Sequence, residues 1–142
     1  MKATDVIKRD HRAAEAMFET YKKANQEARD AMEPKIFKAL DTHENMEDSH
    51  FYPALEAELS EDDAYIELER EQQELKEEVE TIKNMSGDKS EALKAAMEKV
   101  LAHAKKEEET VLPKAEELLG TDRLEELGEL MEPMSAVASE EK

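Results

Sequence analysis

Apolar residues recur every three or four positions along most of this chain, and the rhythm breaks only at a few polar, proline or glycine positions. Ile7, Ala14, Phe18 and Tyr21 fall on one stripe, with His11 at the step they leave out. That spacing predicts an amphipathic helix over residues 4–25, capped by Thr4 or Asp5, with His11 turned inward. Residues 25–30 read as a polar connection, and Pro34 is expected in the opening turn of the next helix, where a missing N–H is tolerated. The second helix, over residues 31–57, aligns Ile36, Leu40, His43, Glu47, His50 and Ala54, and Pro53 should bend it or end it early. A third, over 61–85, is capped by Ser60, aligns Tyr65, Leu68, Gln72, Leu75, Val79 and Ile82, and stops at Gly87. The fourth opens on Asp88-Lys89-Ser90-Glu91, turns Leu93, Ala96, Val100, His103, Glu107 and Val111 inward, and kinks at Pro113. After Gly120, Thr121 caps a short amphipathic helix carrying Leu124, Leu127, Leu130 and Met131.

Short connections make successive helices antiparallel. The pattern therefore predicts an all-α protein, an antiparallel up-down four-helix bundle with a short C-terminal helix. This single domain spans residues 1–132, and a disordered acidic tail is expected over 133–142.

Composition changes this picture little, but charge and cysteine usage narrow it. A formal charge of -18 argues against nucleic-acid partners and against an anionic membrane surface, both of which would repel the chain. The absence of cysteine removes disulfides and thiolate metal ligands, and it fits a reducing compartment. No stretch approaches the ~18 apolar residues of a membrane span, and no secretory leader pattern opens the chain. The cytoplasm is the expected location.

The chemistry lies in a repeated stretch. His43 is followed by Glu47 and Pro53, and His103 by Glu107 and Pro113, so each copy has a histidine, a glutamate four residues on and a proline ten residues on. Residues four apart share a helical face, so each copy points an imidazole and a carboxylate the same way. All four histidines, His11, His43, His50 and His103, lie on inward stripes. A single core histidine is most often a satisfied polar group, but four beside two glutamates are costly to bury without a shared purpose. Counting from the turns puts His11, His43, Gln72 and His103 at similar heights. Imidazole nitrogen and carboxylate oxygen without sulfur suit iron, manganese or zinc, and two carboxylates can bridge a pair of ions.

With Asp5-Val6-Ile7-Lys8-Arg9-Asp10-His11 and Leu118-Leu119-Gly120 added to the two copies, the chain resembles the hemerythrin-like domain with its His-His-Glu cation-binding pattern. The likeness covers almost the whole chain. It implies a four-helix bundle with a non-haem di-iron centre, oxo- or hydroxo-bridged, and reversible O₂ binding or sensing, iron handling, or responses to nitric oxide or peroxide. Matching positions make His11, His43, Glu47, His103 and Glu107 the expected ligands, with Glu108 as the alternative to Glu107 and Glu44 as a lesser candidate. The departure is Gln72, which stands where the family carries a third-helix histidine. His50, one turn past Glu47, either replaces that ligand or hydrogen-bonds Gln72 or Glu47 from outside the ligand set. A binder or sensor of a small diatomic or peroxide ligand is the leading expectation. An O₂- or peroxide-activating enzyme comes second. A plain structural bundle comes last, since it leaves the inward histidines as coincidence.

Overall fold

Capping side chains set the starts of two helices, and three helix starts differ from the pattern reading. The computed structural model describes residues 1–140, with side chains through residue 138. It is all-helical, with no strand among the described residues. Helix α1 (Ala3–Lys23) begins at an uncapped Lys2, because the Thr4 hydroxyl instead donates to Glu116 at 2.6 Å. Helix α2 (Gln26–Met46) begins earlier than expected. The Asn25 side chain accepts from the Ala28 N–H at 2.9 Å, so the presumed connection over 25–30 is its first turns and Pro34 lies inside the helix. Asp62, rather than Ser60, caps α4 (Asp63–Lys83) by accepting from the Tyr65 N–H at 3.0 Å.

Both prolines of the repeated stretch disturb the helix, in different ways. Ahead of Pro53 the chain widens into one π-helical turn, Glu47–Phe51, and resumes as α3 (Tyr52–Leu59) with Pro53 in its opening turn, where its missing N–H does little harm. Ahead of Pro113 the helix is interrupted: α5 (Ser90–Glu109) ends, Thr110 is distorted to φ -119° and ψ -65° while its N–H still reaches the Lys106 carbonyl, and α6 (Val111–Met131) starts with Pro113 in its first turn. Gly120 has φ of 73° and kinks α6, a conformation that favours glycine.

The chain ends in a 3₁₀ turn, Glu132–Met134, and a short helix α7 (Ala136–Glu140). Within the tail expected to be disordered, Ser135 is extended and residues 136–140 form α7, and residues 141–142 lie outside the described residues. No helix among the described residues is long and apolar enough to cross a membrane.

Packing divides the interior in two. Val6, Ile7, Phe51, Leu55, Tyr65, Leu112 and Leu124 belong to one buried cluster, to which α6 contributes heavily. Phe18, Tyr21, Ile36, Ile82, Leu93 and Met97 belong to the other. On α1, α2 and α5 the histidines fall in sequence between the residues of these two clusters. Apolar burial above and below therefore holds a polar layer whose own groups would oppose folding if left unpaired.

Candidate metal centre

Three helices each deliver one histidine to that layer. His11 comes from α1, His43 from the last turn of α2, and His103 from the middle of α5. In each ring Nδ1 meets a carboxylate of another helix: His11 and Glu108 at 2.6 Å, His43 and Asp10 at 2.8 Å, His103 and Glu71 at 3.1 Å. An ionised carboxylate only accepts, so Nδ1 carries the proton and the lone pair of a neutral ring sits on Nε2. All three Nε2 atoms are thereby left for the interior.

Those atoms meet the two glutamates of the repeated stretch. His11 Nε2 lies 3.2 Å from Glu107 Oε1, and His43 Nε2 lies 3.0 Å from Glu47 Oε1. One ligand atom each from His11, His43 and Glu107 fall within 4.8 Å of one another. His43 Nε2, His103 Nε2 and Glu47 Oε2 are buried without a hydrogen-bond partner. Three buried polar atoms without partners, on residues that share one cavity, are costly in a protein with nothing to bind there. Their donor chemistry fits a cation such as iron or zinc.

The cavity has a volume of about 80 Å³. His11, His43, Glu44, Glu47, Gln72, His103 and Glu107 line it together with Ala14, Met17, Leu40, Leu75, Val79 and Met97. The His43 side chain keeps 18% of its surface exposed while Glu107 keeps 2%, so the His43 ring borders solvent with its Nε2 buried and Glu107 lies deeper.

Electrostatics within the layer are strongly coupled. Burial opposes a charge on His43, but the Glu47 carboxylate and the hydrogen bond to Asp10 outweigh it and hold its pKa well above the ordinary value. Burial and the neighbouring Glu107 carboxylate push Glu47 well above the usual carboxylate range. Glu107 goes the other way: hydrogen bonds from Glu47 and His11 overcome its burial and keep it ionised. Of this pair Glu107 is therefore the stronger acid and Glu47 the weaker. The Tyr52 hydroxyl also donates to Glu107 Oε2, and burial together with that carboxylate raises the phenol pKa well above its ordinary value.

Of the residues expected from sequence, His11, His43, Glu47, His103 and Glu107 all line the cavity, as do Gln72 and Glu44. Glu44 also pairs with Lys76 at 3.2 Å. Glu108 is turned to the outer nitrogen of His11 and is gripped by Arg12. His50 lies in the π-helical turn and does not line the cavity. The widened turn interrupts the regular α-helical spacing on which its alignment with His43 and Glu47 rested.

Sequence reasoning missed Asp10, Glu71 and Tyr52. Each is fixed by tertiary partners: Asp10 by the Ala136 and Val137 N–H groups at 2.9 and 3.0 Å, Glu71 by Lys106 at 2.6 Å, and Tyr52 by edge-on packing against Tyr65 at 5.7 Å. Adjacency to His11 and to Gln72 was the only sequence signal for the two acids, and it is weak in a chain with 38 Asp and Glu residues.

A helical protein with a buried histidine–carboxylate cluster, each ring braced from outside by a carboxylate, has the architecture of a cation-binding bundle. The chain belongs to the hemerythrin HHE cation-binding domain family, whose model matches residues 2–115. No curated protein and no solved structure matches it significantly.

Proposed function

We propose that this protein is a non-haem iron protein, with two iron ions per chain, that binds or senses O₂ or a related small oxidant such as peroxide or nitric oxide. The arrangement inferred is the up-down antiparallel four-helix bundle of α1, α2 with its extension α3, α4 and α5, supported by the short connections between them. His11, His43, Glu47, His103 and Glu107 are the proposed ligands. One observation carries the reading: imidazole Nε2 atoms and two glutamates line one buried cavity, and three of their polar atoms make no hydrogen bond among the described residues. Iron held there supplies a redox-active Lewis acid with affinity for small oxidants. The chain's own residues do the rest. Asp10, Glu71 and Glu108 fix the tautomer and aim of the three rings, and Tyr52 holds the Glu107 carboxylate. Apolar residues, among them Leu40, Leu75 and Val79, share the cavity wall with the ligand cluster and limit the polar surface around it.

A second reading, turnover of peroxide or O₂ by an enzyme, is favoured by Gln72. A neutral amide stands where α4 would otherwise offer an imidazole, which leaves coordination room. Iron content and the optical spectrum of aerobic, iron-loaded protein test the main reading. About two irons per chain with near-ultraviolet charge-transfer absorption are expected. A chain that retains no iron overturns it, and peroxide turnover above that of buffer iron would favour the enzyme.

A further inference from the structure

We propose that Asp10 is a positioning residue through which the C-terminal segment, beyond the part of the chain that the family model matches, controls metal affinity and in turn responds to metal occupancy. This rests on the metal-binding reading above. Asp10 is 3% exposed, and its carboxylate is spoken for by three donors. Oδ2 accepts from His43 Nδ1 at 2.8 Å and from the Ala136 N–H at 2.9 Å, while Oδ1 accepts from the Val137 N–H at 3.0 Å. The two amides belong to the first turn of α7, some twenty residues past the end of the family match at residue 115.

The segment is gripped at a second point. Arg9 reaches Ser135 Oγ at 3.3 Å and Glu132 at 3.5 Å, and Ser135 Oγ in turn accepts from the Ala138 N–H at 3.1 Å. Neighbouring residues of α1 thus clamp the turn that starts α7, and Ala136 is itself part of the cavity wall.

A carboxylate that accepts from two backbone amides cannot rotate freely. Fixing Asp10 fixes His43 Nδ1, and fixing the ring aims Nε2 at the ligand cluster. Of the three outer carboxylates, Glu71 and Glu108 are held by the long side chains of Lys106 and Arg12. Asp10 alone among them is held by main chain of a separate segment. Docking of α7 therefore favours the ring orientation that binds metal. By linkage, metal favours docking of α7 by the same factor.

The test uses the full chain with ferrous iron under anaerobic conditions, its affinity read by competition with a chromophoric chelator. Ala136→Pro removes one of the two amide donors at the first position of a helix, where proline is tolerated, and Ser135 already has an extended backbone. Asp10→Ala removes the brace itself. Loss of an outer partner of a metal-ligating histidine weakens binding about 10–100-fold, which is the expectation for Asp10→Ala, with a severalfold loss for Ala136→Pro. In the parent, iron should slow hydrogen exchange of the Val137 amide by a factor comparable to the effect of the proline on affinity. In Asp10→Ala, iron should leave that amide's exchange unchanged. Unchanged affinity in both variants, with Val137 exchange indifferent to iron, overturns the proposal while leaving the metal site standing. If the parent takes up no iron, or His43→Ala binds it as well as the parent does, the metal reading itself has failed and this inference falls with it.

Discussion

Metal binding at this centre must displace protons, and the direction of each pKa shift fixes how stability responds. Without metal, His43 is held protonated well above its ordinary 6.5 and Glu47 well above its ordinary 4.5. A group whose pKa rises on folding stabilises the fold fully below its unfolded value and loses that contribution as pH climbs through the folded value. Asp10 and Glu107 are shifted down, so their contributions are complete above the carboxylate range and do not change near neutrality. Between about pH 5.5 and 6.5 the raised groups of the unloaded centre favour keeping their protons, whereas the unfolded chain has already lost the one on Glu47 and is losing the one on His43. Unloaded stability should fall by up to about 1.7 kcal/mol over that unit of pH. The loaded centre holds neither proton while unfolded His43 keeps most of its own in this window, so loaded stability should rise by about 1 kcal/mol at fixed free metal. The gap widens with pH by up to about 2.7 kcal/mol, or up to roughly 9 °C in Tm for a chain of this length. Thermal melts with and without ferrous iron at the two pH values measure it, and calorimetry in buffers of different ionisation enthalpy counts the protons. A metal-induced Tm shift that is flat or shrinks with pH refutes the proton assignment.

Other substitutions probe separate parts of the centre. His43→Ala and His103→Ala should each sharply lower bound iron while far-ultraviolet circular dichroism stays near that of the parent, because the two apolar clusters on either side hold the helices. Gln72→His should tighten iron retention and alter the optical spectrum, since position 72 already lines the cavity; an unchanged affinity and spectrum would remove it from the site. His50→Ala should leave iron stoichiometry at the parent value, and loss of about one iron per chain would restore His50 to the ligand set. Gly128→Ala should lower Tm by the equivalent of about 1–3 kcal/mol or more. A Cβ at that position would stand 1.8 Å from the Met1 carbonyl oxygen, a backbone atom that can yield only if the chain start moves.

How much of the centre could be read from the chain depends on whether a residue's role is decided within its own helix. The inward stripes that carry His11, His43 and Glu47, and His103 and Glu107, follow from helical periodicity alone, and all five line the cavity. Periodicity fixes which face a residue shares with its neighbours three and four positions away, and those residues needed nothing more. His50 was placed on the same stripe only by assuming an unbroken α-helix, and the π-helical turn ahead of Pro53 undid that assumption. Tertiary structure alone chose Asp10, Glu71 and Glu108 from among so many acids as the partners of the three rings. It also brought Tyr52 to Glu107 and folded the C-terminal turn back onto Asp10. Each of those contacts joins different elements, at distances set by how helices pack against one another, and no local pattern of polar and apolar residues carries that information.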